Sequence, residues 1–235
     1  MTVRTQREGP VTLVTIDRPE RRNAVDGPAA AALTDAFAAF DRDGQARVAV
    51  LTGTGGTFCA GSDLKAMAAG EFSVPTADGP PPLGPTRMRL AKPVIAAIEG
   101  GAFGGGLELA LWCDLRVAAE DAELGLLNLP KGLSCLDGGS VRLPRLIGHG
   151  RALDLLLTGR RVSAVEALRI GLVSRLAAPG TAAQAALNLA RQIAAFPPGG
   201  LLAARDTATA QWGLTEEQAL RAEAERGLSA VSATA

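Results

Sequence analysis

The 235-residue chain has one histidine, His149, and only three cysteines, Cys59, Cys113 and Cys135. A serine hydrolase needs a histidine base beside its nucleophile. His149 sits in the polar turn Gly148-His149-Gly150, distant in sequence from every glycine-rich turn. That placement argues against a histidine triad. One histidine and no cluster of carboxylates argue equally against metal-assisted hydrolysis. The cysteines are odd in number, scattered and without CxxC spacing, which excludes a disulfide framework or zinc site and suggests a reducing compartment. Charge is also missing: 24 Lys and Arg balance 24 Asp and Glu. Without a basic block, the chain has no electrostatic basis for binding nucleic acid or an anionic membrane. No apolar run is long enough to span a bilayer, and Arg4 and Arg7 interrupt any signal-like core. The expectation is a soluble, cytoplasmic protein.

What is present is an ordinary globular balance, 47% apolar and 20% charged, in a chain long enough for one sizeable core. Strand-like runs at 11–16, 47–52, 94–98, 115–118 and 122–127 alternate with helical patterns at 28–40, from about 62, at 107–112, from about 137 to 147, and at 151–158. Ser163 is placed to cap a short helix with Glu166 at its third position, and a last strand is expected at 171–176. From Thr181 onward the pattern is helical, over 181–195, 198–210 and 215–229. The order predicts an α/β fold, with residues 1–180 as the core and 181–235 as a helical C-terminal region. Pro80, Pro81, Pro82 and Pro85 mark residues 70–86 as a mobile surface loop that shapes the binding pocket.

Two stretches carry chemistry. In PVIAAIEGGAFGGGLELALW, a buried strand leads through Gly100, Gly101 and Gly104-Gly105-Gly106 into a helix whose one carboxylate is Glu108. This places free backbone N–H groups at a helix N-terminus, where a developing oxyanion is stabilised. The spacing does not give GxGxxG, which argues against a dinucleotide site. The earlier stretch FCAGSDLK has the same design, an apolar run, a glycine bend and a helix start. Either turn alone is an ordinary glycine turn. As a pair they can aim two N–H donors at one oxygen, such as the carbonyl of a thioester passing to its enolate.

These residues, with IDRPERRNAV (16–25), KPVIAAIEGGAFGGGLELALWCDLRVA (92–118), DGGSVRLPRLIGHGRALDLLLTGR (137–160) and VSAVEALRIGLVSRL (162–176), resemble the crotonase superfamily, also called the enoyl-CoA hydratase/isomerase family, over nearly the whole chain. The resemblance implies a crotonase-like spiral of repeated ββα units, with a helical C-terminal region used for trimerisation as homotrimers or hexamers. It implies an acyl-CoA thioester as substrate, with coenzyme A part of that substrate and no separate cofactor. By matching position, the oxyanion hole is formed by the N–H groups of Ser62 and Gly105, and Glu108 is the principal acid/base. Arg22, Ala24, Ala60, Asp63, Leu64 and Lys65 line the coenzyme A site, with Arg22 and Lys65 supplying charge for its phosphates. Where hydratases carry a second glutamate, this chain has Asn128, and an amide cannot exchange a proton near neutral pH. Asp137 is the nearest other carboxylate, read either as a helix N-cap or as a second catalytic group. Hydration of a 2-enoyl-CoA is the leading expectation. Double-bond isomerisation is the alternative within the chemistry, and non-catalytic acyl-CoA binding the alternative outside it.

Overall fold

The computed structural model describes residues 2–70, 76–128 and 131–232. Five strands pair in parallel because a crossover between each and the next returns the chain to the same end of the sheet. They are β2 (Val11–Ile16), β3 (Val48–Gly53), β4 (Val94–Ile98), β6 (Leu115–Ala119) and β9 (Arg175–Ala177). β1 (Val3–Glu8) adds an antiparallel edge strand, giving the order β1-β2-β3-β4-β6-β9. A second sheet joins β5 (Gly101–Phe103), β7 (Glu123–Gly125) and β8 (Val162–Ser163) in that order. Helices α1 (Gly27–Arg42), α2 (Leu64–Ala68) and α3 (Gly105–Trp112) follow the first, second and third turns of strand. In the second turn Cys59, paired with Ala102 of the third, takes the place of a full strand. Strand, strand and helix therefore repeat as a rising spiral, as the resemblance implied.

Residues alternate faces along the strands. On β3 and β4, Ala49, Leu51, Ala96 and Ile98 point into the main core with Leu33 and Phe37 of α1 and Leu107 of α3. Val48, Val50, Ile95 and Ala97 point the other way, onto Ala186, Leu187, Ala190 and Ala194 of α7 (Ala182–Ala194). The sheet is covered on both sides, as near-continuous apolar strands require. α7, grouped by sequence with the C-terminal region, thus packs as part of the core. By contrast α8 (Pro198–Ala210) and α9 (Glu216–Ser232) bury no residue and pair with each other. Arg205 fastens α8 to the core through Asp114 at 2.8 Å and the Leu90 carbonyl.

Three expectations need correction. β1 was not read from the sequence, because four of its six residues are exposed and polar and give no apolar pattern. β5 replaces part of what reads as a glycine turn, with Gly101 packed closely against the ring of Phe103, and α3 accordingly starts at Gly105. The Pro-rich segment is not a surface loop throughout: residues 71–75 lie outside the described residues, but Pro82 to Thr86 are buried.

The remaining helices close one end of the spiral: α4 (Gly139–Ile147), α5 (His149–Thr158) and α6 (Ala164–Arg169), the last capped by Ser163 as predicted. Thr181 makes no side-chain cap to α7. Glu99, just after β4, accepts from the N–H groups of Ala182 at 2.6 Å and Gly180 at 3.1 Å and does that work from a distance. Glu99→Ala is expected to cost about 1 kcal/mol, the usual value of a lost cap. The check is a shifted denaturation midpoint at an unchanged denaturant slope.

Candidate active site

The two glycine turns are held together by backbone pairing. The N–H of Cys59 donates to the Gly101 carbonyl at 3.1 Å, and the N–H of Phe103 returns to the Cys59 carbonyl at 3.0 Å. From that pair the chain bends away twice, at Gly61 and at Gly104, both with positive φ. A Cβ at Gly61 would stand 3.0 Å from the Gly105 nitrogen, and one at Gly106 would overlap the Cys59 carbonyl. Only glycine allows this approach, and the approach sets the Ser62 turn directly beside the N-terminus of α3. Among the described residues, the N–H groups of Ser62 and Gly105 donate to no protein acceptor. Two free donors at adjoining bends can hold one oxygen.

The first turn is supported from below. Arg22 and Asn23 both have positive φ, and Asn23 is fully buried. Its amide donates to the carbonyls of Thr54 and Thr57, and its side-chain oxygen accepts from the Arg18 N–H. Arg18 in turn pairs with Asp26 at 2.6 Å and Asp63 at 3.3 Å and donates to the Ala24 carbonyl. Asp63 also accepts from the N–H groups of Lys65 and Ala66, capping α2. These N–H groups and Arg18 hold its carboxyl below the usual range despite the opposing effect of burial.

Glu108 is 2% exposed, so its carboxyl needs partners. Its Oε1 accepts from the backbone N–H of Gly139 at 2.7 Å and of Asp137 at 3.1 Å. The Cys135 thiol neighbours the same carboxyl and helps to stabilise its charge. Burial raises the Glu108 pKa, as does the neighbouring Asp137 charge, and the N–H groups offset this only in part. Burial and the Glu108 charge push the Cys135 thiol up to about 12, so it remains protonated.

Asp137 is also 2% exposed, and it is not an N-cap: the cap of α4 is Gly138, with positive φ and no side-chain bond. Its Oδ1 accepts instead from the Leu83 N–H at 3.0 Å and the Thr86 hydroxyl at 2.6 Å. Burial raises its pKa, against the opposing effect of these bonds and of Arg87 and Arg142.

One cleft of about 210 Å³ gathers these features. Ser62, Gly105, Glu108 and Asp137 line it together, with Arg22, Ala60 and Leu64. Ala24, Asp63 and Lys65 do not line it; Ala24 and Asp63 are in the buried support, and Lys65 is exposed on α2. Asn128 lies in the same lining, its amide nitrogen 3.3 Å from the Ser134 carbonyl and 3.7 Å from the Cys135 sulfur. Sequence reasoning missed Lys131 and Arg161, two further cations of the lining, and Arg142, whose guanidinium donates to the carbonyls of Asp137 and Thr86. Lys131 and Arg161 belong to no motif, so nothing local could have found them. Arg142 stands in the DGGSVR stretch, but its reach to Thr86 crosses 56 residues.

Comparison with known proteins identifies the family. Residues 6–233 match the sequence pattern described as Enoyl-CoA hydratase/isomerase. The chain is 40% identical to a carnitinyl-CoA dehydratase of Salmonella arizonae, over 93% of this chain and 84% of that protein. It is 42% identical to an (E)-benzylidenesuccinyl-CoA hydratase of Thauera aromatica, over 84% and 78%. Among solved structures, an enoyl-CoA hydratase from Mycobacterium marinum superposes with a TM-score of 0.92 at 39% identity, covering 98% of this chain and 90% of that one. With a matched pattern across the chain, relatives at 40% and 42% identity and a shared spiral, the protein belongs to the enoyl-CoA hydratase/isomerase family.

Proposed function

We propose that the protein is a lyase that adds water reversibly across the double bond of a 2-enoyl-CoA. The observation that carries this reading is a buried carboxyl, Glu108, in one cleft with two free N–H donors. The thioester carbonyl sits between the Ser62 and Gly105 N–H groups. Glu108 takes a proton from water as the water oxygen attacks C3. The π electrons move through C2 to the carbonyl oxygen, where the two donors stabilise the enolate. Glu108 then returns its proton to C2. One carboxyl balances the proton inventory, so Asn128 need only orient water. Asp137, whose Oδ1 is committed to Leu83 and Thr86, is not required as a second acid or base.

Coenzyme A enters as part of the substrate, and no separate cofactor is invoked. Arg22, Ala60 and Leu64 line its place, Ala24 and Asp63 hold the turn beneath it, and Arg22 and Lys65 offer charge to its phosphates. The working assembly is a homotrimer or hexamer, for which the exposed Leu220, Leu228 and Val231 of α9 provide apolar surface. The free cysteines suit a cytoplasmic setting. No helix among the described residues is long and apolar enough to cross a membrane.

A second reading rests on Asn128. With one proton-exchanging group, the same site can move a proton between C2 and C4 and so isomerise the double bond. Loss of the conjugated enoyl-thioester absorbance on incubation with crotonyl-CoA tests hydration. Failure there, with appearance of that absorbance from a 3-enoyl-CoA, assigns isomerisation. Binding of both without turnover leaves an acyl-CoA-binding protein.

Glu108→Gln is expected to lower kcat by about 10² to 10⁴-fold, with acyl-CoA binding retained in calorimetry. Unchanged turnover would remove Glu108 from the mechanism. Because Glu108 must be ionised to accept a proton, and burial raises its pKa from 4.5, the acid limb of kcat/KM is expected above the ordinary carboxylate range and absent in the variant. The same shift acts on stability. The folded form holds this proton more tightly than the unfolded chain, so the contribution is full below the unfolded value and lost as pH rises through the folded one. Glu108→Gln should therefore melt no lower than wild type at neutral pH.

A further inference from the structure

Resting on the oxyanion-hole reading of the site, we propose that Asp137 is a positioning residue that straps the 83–86 segment over the oxyanion turn, and that Leu83 and Thr86 are its working partners. Five contacts make the connection. Asp137 Oδ1 holds both the Leu83 N–H at 3.0 Å and the Thr86 hydroxyl at 2.6 Å. Arg142 closes the strap from the other side, donating to the carbonyls of Asp137 at 2.7 Å and of Thr86 at 2.5 Å. Leu83 is fully buried, and a Cβ placed on Gly105 would meet its Cδ2 at 2.6 Å, so its side chain presses on the peptide that carries one oxyanion donor.

Gly61 also lies against that peptide, so Gly105 is packed against both the Ser62 turn and Leu83. Asp137 also donates its own N–H to Glu108 Oε1. One residue therefore sets the acid/base carboxyl through its backbone and the oxyanion donor through its side chain. Arg87 makes the strap continuous with the rest of its loop, donating to the carbonyls of Ala77, Gly79 and Leu136. Charged and titratable groups facing Asp137 are Glu108, Cys135, Cys59, Arg87 and Arg142. Among the described residues no hydrogen bond reaches Asp137 Oδ2, so an amide nitrogen fits there without opposing a donor.

The strap needs an acceptor oxygen at Oδ1, which asparagine supplies; a second acid or base needs an exchangeable proton, which asparagine lacks. Asp137→Asn should keep kcat within a few-fold of wild type and keep the acid limb. Asp137→Ala and the milder Thr86→Val should lower kcat on the order of 10 to 10²-fold, as expected for a misplaced reacting group, with a smaller change in KM and the same limb. Hydrogen exchange, which needs no activity, should show the Leu83 amide losing protection in Asp137→Ala and keeping it in Asp137→Asn. A hundredfold loss in Asp137→Asn with protection intact would overturn the proposal and make Asp137 an acid or base. Wild-type protection and rate in both Asp137→Ala and Thr86→Val would overturn it as well. If wild type turns over neither enoyl-CoA, the proposed reaction fails, and the exchange measurement still decides the strap.

Discussion

The site depends on burying one carboxyl at a helix N-terminus and satisfying it chiefly with backbone N–H groups. Glu108 Oε1 is held by the N–H groups of Asp137 and Gly139, which requires the 135–139 segment to lie flat against α3. Gly139 shows how close that contact is, since a Cβ there would stand 2.9 Å from Glu108 Oε1 and 3.0 Å from the Cys135 sulfur. A side-chain cation in the same place would hold the carboxyl ionised too firmly to exchange a proton with water. Peptide dipoles stabilise the charge while burial opposes it, and the balance leaves the pKa raised. The Asn128–Cys135 contact adds a neutral neighbour and no further charge.

Around that carboxyl, the geometry is set by close approach of main chain to main chain. The Cys59–Ala102 bridge joins two turns that a side chain would force apart at Gly61 or Gly106. Asn23 and Arg18 underpin the first turn by hydrogen-bonding peptides that have left regular structure, and Asp63 and Asp26 neutralise Arg18 where water is scarce. The polar residues of the 16–25 stretch thus act mainly as scaffold, and Arg22 is the one presented to the cleft.

How much of this the sequence reveals follows from how local each feature is. The alternating strands and helices, the glycine turns, Glu108 and the Ser163 cap are written in neighbouring residues. So are the positions of Ser62 and Gly105, because a glycine bend before a helix announces free N–H groups by itself. What stayed hidden is written across long separations. Asp137 reads as an N-cap or a second catalytic group until Leu83 and Thr86, 54 and 51 residues earlier, are seen to occupy its oxygen. Pro82 to Thr86 read as surface because prolines mark loops, yet this loop is buried by contacts that no local pattern encodes. β1 hides for the opposite reason: it is a true strand whose exposed faces give it no apolar rhythm.

The double covering of the sheet has a consequence for how the chain is made. Val48, Val50, Ile95 and Ala97 face α7, and α7 begins 85 residues after Ala97 and is complete only at Ala194. During synthesis the parallel strands pair while one face of the sheet still lacks its cover. Their own contacts are non-local too, Ala49 with Val94 and Val117 with Arg175, so closure is slow as well as late. For that interval the nascent protein presents a flat, valine-rich surface, the form of exposure that recruits chaperones or seeds aggregation. Small residues at Ala186, Ala190 and Ala194 let α7 settle closely on the sheet once it emerges, and its arrival ends that exposure.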